Sequence, residues 1–410
     1  MTTYRYFIYL LIFFFWSCEP STREETTSVP EPLNLQGDPG NGGIKLPSGF
    51  EAIVVADSVG YARHLAIRDN GDIYLRLRTL KNEGGLVALR DTTGDGKADI
   101  IRYFGDNKGT GIEIRNGYLY YSTVTTVYRQ KLQEGELLPM GEPEVLIDSL
   151  PFQTAHPAKP FDFDDNGNLY INVGAPSNAC QDKDRAAGIP GQDPCPLLDS
   201  TGGVWRFKVD IIGQTRQRDG YRFATGTRNL VAFTWNPVVK KLYAVMHGRD
   251  DLHRVWPDLY TEEQNRELPA EQFFSIEDGD DFGWPYCYYD HFQNKKLLNP
   301  EYGGDGTKVG RCSGAKDPLI GFPAHYAPND LLFYQADQFP PSYKNGAFIA
   351  FHGSWNRLGF DQDGYNIVFV PFQGDTPSGE WQVFADDFEG PTPVKSPTDA
   401  HHRPCGIAVG

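Results

Sequence analysis

The sequence predicts an all-β fold assembled from repeated hairpins. The first observation is the composition, because 13% of the 410 residues are aromatic and the chain has 44 glycines and 30 prolines against three methionines. This composition favours strands and turns, and no long run has a helical apolar period. The second observation is a recurring hairpin pattern, and the third is its regular spacing. Together they predict a β-propeller.

The clearest hairpin follows His156. Phe161 and Phe163 alternate with polar residues, Asp-Asn-Gly at 165–167 suits a tight turn, and 169–173 resumes as a second strand. Further copies begin at His64, Ile112 and Ala232. His156 stands just ahead of its strand, where a propeller presents its loops to the axis.

The spacing of the hairpins fits propeller blades. The turn glycines Gly71, Gly117 and Gly167 are 46 and then 50 residues apart. Long insertions at 176–200 and 252–330 stretch the later repeats. Insertions of this length on a rigid scaffold are expected to build a binding face.

The ends of the repeat region also read as strands. Residues 47–55 look like a lone strand that closes the ring, and 347–351 and 365–372 predict further strands. Residues 403–410 resemble the opening strand of one more hairpin with no return strand. We therefore expect an incomplete last blade and a sequence that is a fragment of a longer protein, and a last blade completed in an unusual way is the alternative.

The N-terminus predicts export. Residues 1–18 combine one basic residue, an apolar run and a Ser-Cys pair, which indicates a signal peptide, with Cys18 as a lipid site in a periplasmic or outer-membrane lipoprotein. An ordinary signal peptide or an uncleaved anchor is the alternative. Residues 19–45 are expected to be a disordered tether and 46–410 the propeller domain. The net charge of −16 argues against nucleic-acid binding.

The six cysteines suit an oxidising compartment. With Cys18 set aside, Cys180 and Cys195 bracket one polar loop, and Cys287 and Cys312 bracket another. Two disulfides that staple these loops are the simplest expectation, although pairing does not follow from sequence alone. Cys405 is left single.

One acidic loop has the spacing of a calcium site. Residues 91–99 offer oxygen ligands at Asp91, Thr93, Asp95 and Asp99, with a glycine at the sixth position. The bidentate glutamate of such loops is replaced by Arg102. A turn rich in Asp and Gly that binds no metal is the alternative.

Several polar residues lie at predicted hairpin entrances. An imidazole such as His156 can act as a general base, although a lone histidine is more often structural. Arg228 and Asn229 place a cation and an amide at another entrance, where a salt bridge is the simpler role. Gly248 and Arg249 end that hairpin, where backbone carbonyls can approach an ion.

Two rarer strings put aromatic rings beside polar groups, as sugar and quinone sites require. They are Gly-Trp-Pro-Tyr-Cys at 283–287 and His-Gly-Ser-Trp-Asn-Arg at 352–357. Trp284 and Trp355 are equally compatible with interior packing.

These motifs in this order resemble the pyrroloquinoline quinone (PQQ) dependent sugar dehydrogenases of the sorbosone dehydrogenase type, relatives of soluble glucose dehydrogenase. The resemblance rests on Gly-Thr-Arg-Asn at 226–229, the strings at 283–287 and 352–357, and Arg-Pro-Cys-Gly at 403–406. It implies a six-bladed propeller with PQQ over the axis and with calcium polarising the quinone.

The resemblance also implies roles for individual residues. His156 matches the general base that takes the sugar hydroxyl proton while hydride passes to the quinone. Arg228 and Asn229 match the pair that bonds the quinone oxygen, and the backbone carbonyls of Gly248 and Arg249 match calcium ligands. Cofactor-binding arginines are implied at Arg403 and, less closely, at Arg357.

The resemblance has departures, and other functions stay open. The aspartate that orients the base in glucose dehydrogenase falls on Ala175, and the acidic loop lacks its last acid. The favoured function is oxidation of an aldose or sugar aldehyde to lactone or acid, with an external quinone or cytochrome as electron acceptor. A non-catalytic propeller that binds glycan or protein, and a calcium-dependent lactonase-type hydrolase, are the alternatives.

Overall fold

Four four-stranded sheets and one five-stranded sheet make up most of the protein. The computed structural model describes residues 35–357 and 359–410. Blade 1 consists of Ala62–Ile67, Ile73–Lys81, Gly84–Arg90 and Ile100–Phe104. Blade 2 consists of Ile112–Arg115, Tyr118–Ser122, Val127–Lys131 and Met140–Asp148, with Gln214–Thr215 added in parallel at its edge. Blade 3 consists of Phe161–Phe163, Asn168–Val173, Gly203–Lys208 and Tyr221–Thr225.

The remaining two blades follow the same antiparallel order. Blade 4 consists of Leu230–Asn236, Lys241–Met246, Glu271–Ile276 and Ile320–Phe322. Blade 5 consists of Pro328–Phe333, Ala347–Phe351, Ile367–Val370 and Gln382–Ala385. Two short ribbons pair Cys287–Asp290 with Lys295–Leu298 and Phe372–Gln373 with Thr376–Pro377.

Helices are few and short. The α-helices are Arg216–Asp219, Leu252–Val255 and Glu262–Glu267, and the 3-10 segments are Pro39–Gly43, Pro196–Asp199, Pro300–Tyr302, Gly310–Gly314 and Pro341–Tyr343. Among the described residues, none of these helices has the length and apolar character needed to cross a membrane.

The first strand of every blade faces a central axis. Ile67, Ile114, Asp162, Thr234 and Leu331, one from each blade, line a single axial cavity of about 220 Å³. Residues 407–409 line the same cavity. This radial arrangement confirms the predicted all-β propeller. The described residues form five blades, and the sixth blade stays a prediction.

The hairpin turns form where the sequence predicts them. Gly71, Gly117 and Gly167 have φ angles of 86°, 74° and 74°, which glycine adopts without the clash that a side chain would cause. The strands beside each turn are paired in antiparallel register. The hairpin that repeats in the sequence therefore forms the first two strands of a blade.

The apolar core lies between neighbouring blades. One cluster joins Leu169 and Trp205 of blade 3 to Leu146 of blade 2, and another joins Tyr243 of blade 4 to Phe351 of blade 5. Each such buried side chain contributes roughly 1.5–3 kcal/mol relative to exposure. Packing between blades fixes the ring and thereby the positions of the loops that surround the axis.

The N-terminal part of the described chain differs from the prediction. Residues 47–55 form no strand, and the nearest pairing is a single antiparallel bridge between Lys45 and Asp386. Residues 35–45, assigned to the tether by composition, are held by contacts such as the bond from the Asp38 N–H to the Ala52 carbonyl at 2.8 Å. The expectation failed because apolar alternation alone does not supply a pairing partner. The predicted signal peptide, Cys18 and residues 19–34 of the tether lie outside the described residues.

Both predicted disulfides are present. Cys180 is bonded to Cys195 and Cys287 to Cys312, while Cys405 is free and buried. The bonds staple the two inserted loops, as the spacing suggested. Cross-linking a loop restricts the unfolded chain and stabilises the folded loop conformation.

Candidate active site

A polar cavity of about 440 Å³ lies at one end of the axis, where the loops that enter the first strands converge. We call it the axial-end cavity. Its lining residues come from all five blades and from the segment near residue 403: Arg63, Arg78, Thr110, His156, Pro157, Ala158, Arg185, Arg228, Asn229, Val231, His247, Gly248, Asp250, Glu271, His325, Ala327, Asn329, His352, Trp355 and Arg403. A cavity of this size and polarity is suited to a small charged ligand.

The backbone carbonyl of Ala175 orients the His156 imidazole. His156 Nδ1 lies 2.5 Å from that oxygen, and because a carbonyl only accepts hydrogen bonds, Nδ1 must carry the proton. The lone pair is therefore on Nε2, as a general base requires. His156 also has a φ of 49°, a conformation uncommon for residues other than glycine and often found at functional sites.

A buried glutamine and a glycine hold the loop that contains His156. Gln153 Nε2 donates to the carbonyl oxygens of Ala155, His156 and Gly174, at 2.9, 2.6 and 2.8 Å. A Cβ on Gly174 would lie 3.0 Å from Asn229 Oδ1 and 3.2 Å from His156 Cβ. A side chain at 174 would therefore force apart residues that the cavity brings together.

The first stapled loop supports the carbonyl that orients His156. Ala175 is fully buried and packs in one cluster with Cys180, Cys195 and Trp284, and its N–H donates to the Arg228 carbonyl at 2.7 Å. Trp284 is thus an interior residue, which is the simpler of the two roles that the sequence allowed. The resemblance to glucose dehydrogenase implies an aspartate side chain at this place, and this chain has the backbone oxygen of Ala175 instead.

The cavity keeps its imidazoles neutral. Burial and the neighbouring Arg228 guanidinium lower the pKa of His156 to about 3 and that of His247 to about 3. Burial and Arg403 lower the pKa of His352 to about 3. A neutral His156 has the protonation state that accepts a proton at physiological pH.

Arg228 is fixed by a network of charges. Its Nη1 donates to the Gly248 carbonyl at 2.9 Å and its Nη2 to Asp250 Oδ2 at 2.7 Å. Asp250 also accepts from Arg185 Nη2 at 2.7 Å. Burial acts to raise the pKa of Asp250, but the Arg228 and Arg185 guanidinium groups hold it well below its usual value. The ionised Asp250 therefore balances two cations and fixes the direction of the Arg228 side chain.

Several buried polar atoms of the cavity residues have no partner among the described residues. They are Arg228 Nε, Asn229 Oδ1 and His247 Nε2. Buried polar groups are nearly always hydrogen-bonded, so unpartnered ones in a cavity call for a ligand or water. These atoms lie beside the predicted base, which is where a polar cofactor would bind.

The cavity also contains positive charge that no described carboxylate neutralises. Arg63, Arg78 and Arg403 line it, and none of the three forms an ion pair with a described residue. Arg403 is oriented by bonds from Nε and Nη2 to the carbonyls of His352 and Gly353, both at 2.9 Å. Guanidinium groups arranged in this way suit a ligand with several carboxylates.

Arg63 and Arg78 were not among the site residues predicted from the sequence. Arg63 directly precedes His64, where the first hairpin enters the axis, and this is the same kind of position that singled out His156. Arg78 belongs to the second strand of blade 1, and no local motif distinguishes it. The feature of the sequence that could have identified Arg63 is its position at a blade entrance.

One buried acid faces the same cavity. Glu271 Oε2 accepts from the Gly248 N–H at 2.7 Å and Oε1 from the Ala327 N–H at 3.3 Å. Burial raises the pKa of Glu271 to about 8, so at neutral pH this group is mostly uncharged. The positive character of the cavity is therefore preserved.

The backbone carbonyls of Gly248 and Arg249 stay predicted calcium ligands. The Gly248 carbonyl accepts from Arg228 Nη1, and the Arg249 side chain forms a buried ion pair with Glu301. No cluster of three or more His, Cys, Asp or Glu side chains able to hold a metal ion occurs within residues 35–357 and 359–410.

The acidic loop is held by its own backbone. Asp91 accepts from the N–H groups of Thr93, Gly94 and Gly96, and Asp99 accepts from Thr92. Asp95 accepts from the Lys97 N–H at 2.9 Å. These bonds satisfy the carboxylates without an ion, so the predicted calcium site at Asp91, Thr93, Asp95 and Asp99 stays a prediction.

The cavity brings together most, but not all, of the predicted site residues. His156, Arg228, Asn229, Gly248 and Arg403 line it together. Arg357 does not line it. Its guanidinium lies 3.4 Å from both Glu267 and Asp363, in an ion-pair arrangement that occupies it elsewhere.

The chain is similar to known proteins in sequence and in fold. Residues 44–410 match the family model described as TrAA12-like. A pyrroloquinoline quinone-dependent pyranose dehydrogenase of Coprinopsis cinerea is 26% identical over 195 residues, which are 43% of this chain and 24% of that protein. This chain thus matches about a quarter of the length of that relative.

Two solved structures share the fold. The holo form of the pyranose dehydrogenase PQQ domain from Coprinopsis cinerea superposes with a TM-score of 0.70 at 16% identity, covering 91% of this chain and 93% of that one. The calcium structure of a Trichoderma reesei family AA12 protein has a TM-score of 0.65 at 18% identity, covering 91% and 89%.

The resemblance to PQQ-dependent sugar dehydrogenases, inferred from ordered motifs, is confirmed by these matches. The family match extends from residue 44 to residue 410 and so includes every residue of the axial-end cavity. The chain therefore belongs to the TrAA12-like family.

Proposed function

We propose that the protein is a PQQ- and calcium-dependent dehydrogenase that oxidises an aldose or sugar aldehyde to lactone or acid. One observation carries the proposal. The axial-end cavity contains the His156 imidazole, whose Nε2 lone pair is free. It also contains three arginines whose positive charge no described carboxylate balances. When bound, PQQ would supply the two-electron acceptor for the sugar.

The residues of the cavity have separate tasks in this proposal. Arg63, Arg78 and Arg403 bind the carboxylates of the cofactor, since a guanidinium pairs with a carboxylate through two parallel bonds. Arg228 and Asn229 donate to a carbonyl oxygen of the ligand and stabilise negative charge there. The unpartnered Arg228 Nε is available for this bond.

His156 moves the proton. Its Nε2 takes the proton of the sugar hydroxyl, and the Ala175 carbonyl, bonded to Nδ1–H, stabilises the imidazolium that results. Negative charge that a bound ligand brings into the cavity would raise the pKa of the His156 imidazole from its low value and so strengthen it as a base.

Calcium is part of the proposal because of a structural neighbour. A solved AA12 structure of the same fold is described as a calcium structure. The residues of this chain offer backbone oxygens near Gly248 but no carboxylate cluster among those described. In this proposal calcium binds together with the cofactor.

The architecture and the cellular location complete the proposal. Residues 407–409 lie beside the first strand of blade 5, where the Ile407 N–H donates to Asp330 Oδ2 at 2.9 Å, and a Cβ on Gly406 would touch blade 1 at the Arg63 carbonyl. A sixth blade position between blades 5 and 1 is consistent with these contacts. The two disulfides support export to an oxidising compartment such as the periplasm, and the Ser-Cys pair at 17–18 supports a lipoprotein.

The activity test adds PQQ and calcium to purified protein and follows dye reduction with a panel of aldoses and sugar aldehydes. Reduction that requires PQQ supports the proposal, and a chelated sample shows whether calcium is needed. Absence of dye reduction with every sugar, together with an unchanged quinone spectrum, removes it. Lactone hydrolysis that is lost on chelation and ignores PQQ would point instead to a hydrolase.

A further inference from the structure

A second cleft adjoins the axial-end cavity. Its volume is about 420 Å³, within the range of about 300–1,000 Å³ typical of ligand sites. We call it the side cleft, and it is lined by Arg185, Asp251, Arg254, Trp355, Asn356, Gly359, Gln362 and Lys395. Two of these residues, Arg185 and Trp355, line both cavities.

A short hydrogen-bonded wall separates the two cavities. Asn356 Nδ2, on the cleft side, donates to Asp250 Oδ1 at 2.7 Å, and Arg185 Nη2 donates to Asp250 Oδ2 at 2.7 Å. Asp250 in turn holds Arg228. A ligand in the side cleft would therefore lie one residue layer away from the group that fixes the predicted catalytic arginine.

The chemistry of the side cleft is that of a sugar-binding site. Trp355 is 52% exposed, although tryptophan is strongly buried on average, and its ring offers an apolar face to the hydrogens of a pyranose. Asn356 Oδ1 is buried and has no partner among the described residues. An aromatic face beside an unpartnered amide oxygen and paired charged groups matches the alternating apolar faces and hydroxyl edges of a sugar.

The charges of the side cleft favour a neutral sugar. Arg254 pairs with Asp251 at 2.7 Å, and Lys395 pairs with Asp361 at 2.6 Å. Arg185 is also paired with Asp250 and Asp251. Because each cation already has a carboxylate partner, an acidic sugar would gain little here.

We propose that the side cleft is a subsite for a second monosaccharide unit, so that the preferred substrate is the reducing end of an oligosaccharide. This inference rests on the proposed function, because the first unit must occupy the axial-end cavity. Trp355, which lines both cavities, would contact the sugar on each side of the glycosidic bond.

The kinetic test compares two substrates. One is the monosaccharide oxidised fastest in the panel, and the other is a disaccharide with that aldose at its reducing end. The wild type is expected to favour the disaccharide in kcat/KM. Trp355→Ala should reduce the disaccharide-to-monosaccharide ratio of kcat/KM about tenfold, because the second sugar unit loses the aromatic face on which it packs. Arg254→Met should reduce the same ratio by a smaller factor.

The control is Arg218→Met, which removes an exposed arginine paired with Asp219 at 2.8 Å, away from both cavities. It should leave the ratio unchanged. An equal ratio in wild type, Trp355→Ala and Arg254→Met would overturn the subsite. Trp355→Ala could instead slow the reduction of cytochrome c and leave the disaccharide-to-monosaccharide ratio unchanged. That result would also overturn the subsite, and it would assign the side cleft to a protein electron acceptor.

A binding test separates failure of the subsite from failure of the proposed function. Methyl β-cellobioside and methyl α-maltoside have no free anomeric hydroxyl, so they report binding without oxidation. Calorimetry on wild-type protein should show saturable binding of at least one glycoside, lost in Trp355→Ala and kept in Arg218→Met. If no sugar is oxidised but this binding pattern is observed, the side cleft is a glycan-binding site and the proposed dehydrogenase activity is wrong. Binding of neither glycoside would overturn the subsite.

Discussion

At the scale of single residues, the central feature is an imidazole oriented by the main chain. The Ala175 carbonyl fixes the Nδ1–H tautomer of His156, the role that related sites give to a carboxylate. A neutral oxygen raises the pKa of an imidazole less than a carboxylate would, which agrees with the low value of about 3. The His156 imidazole is therefore oriented without an acid at position 175.

Replacement of this imidazole is the first prediction. His156→Ala should lower kcat by about 10²–10⁴, the usual contribution of a general base, while PQQ binding is largely kept because the arginines remain. Single-turnover dye reduction and a cofactor titration measure the two effects. His402→Ala, an exposed histidine outside the cavity, is the control. A His156→Ala protein that no longer retains PQQ would mean that the histidine has a structural role.

The sequence identified His156, Arg228, Asn229 and Arg403 because each stands at a hairpin entrance or in a recognisable string. It did not identify the role of Ala175, because a backbone carbonyl leaves no signature in the side-chain pattern. It also placed Arg357 in the cofactor site from its position in a string, whereas local ion pairs with Glu267 and Asp363 determine where that side chain lies.

At the scale of secondary-structure elements, buried polar groups join neighbouring blades. Arg76, on the second strand of blade 1, is fully buried. Its Nε donates to the Ser122 carbonyl of blade 2 at 3.1 Å, and its Nη1 to the Gly85 carbonyl at 2.7 Å and the Asn107 carbonyl at 2.6 Å. One side chain thus satisfies carbonyls from two blades and from the link between them.

Removal of this guanidinium is the second prediction. Arg76→Met should lower the free energy of unfolding by about 3 kcal/mol or more, because each buried carbonyl left without a donor costs about 1–3 kcal/mol. Urea unfolding followed by fluorescence measures the change. Arg102→Met, on the outer strand of the same blade and exposed, should have little effect. Equal stability of the two variants would contradict the proposed linkage between blades.

Strands and turns were predicted correctly where the residues of a tight turn determine the local fold. The Gly71, Gly117 and Gly167 hairpins formed as expected because their turns need positive φ angles. Residues 47–55 did not form a strand, because pairing depends on a partner far away in sequence. The two disulfides followed from loop spacing and are present.

At the scale of the whole molecule, the propeller concentrates acids at its axis. Glu113, Asp162 and Asp330 line the axial cavity together. Burial, followed by the charges of Asp162 and Asp330, raises the pKa of Glu113 well above its ordinary value. Burial also raises the pKa of Asp162 to about 6 and of Asp330 to about 8. The folded protein therefore holds protons that the unfolded chain releases.

This proton uptake gives the third prediction. When the folded state binds more protons than the unfolded state, stability falls as the pH rises. For Glu113 the loss begins near its unfolded pKa of about 4.3 and continues until the folded group ionises. The melting temperature of the wild type should therefore fall from pH 5 to pH 8, and in Glu113→Gln this fall should be smaller. Glu134→Gln, an exposed glutamate outside the axial cavity, is the control, and a variant with the wild-type slope would contradict the account.

The global architecture was predictable as a propeller because blade spacing is a property of the sequence. The convergence of Arg63, Arg78 and Arg403 was not predictable, since these residues are distant along the chain and meet only when the ring closes. The side cleft likewise depends on the positions of the loops at 185, 251 and 355 around one rim.

The most direct measurement is a titration of the apo protein with PQQ in the presence of calcium, followed by absorbance and by melting temperature. Saturable binding should raise the stability of the folded state by about 2.7 kcal/mol at a free concentration of 100 times Kd. Arg63→Met and Arg403→Met should each weaken binding, while Arg218→Met should not. An unchanged spectrum and an unchanged melting temperature at saturating PQQ would contradict the assignment of the axial-end cavity as a quinone site.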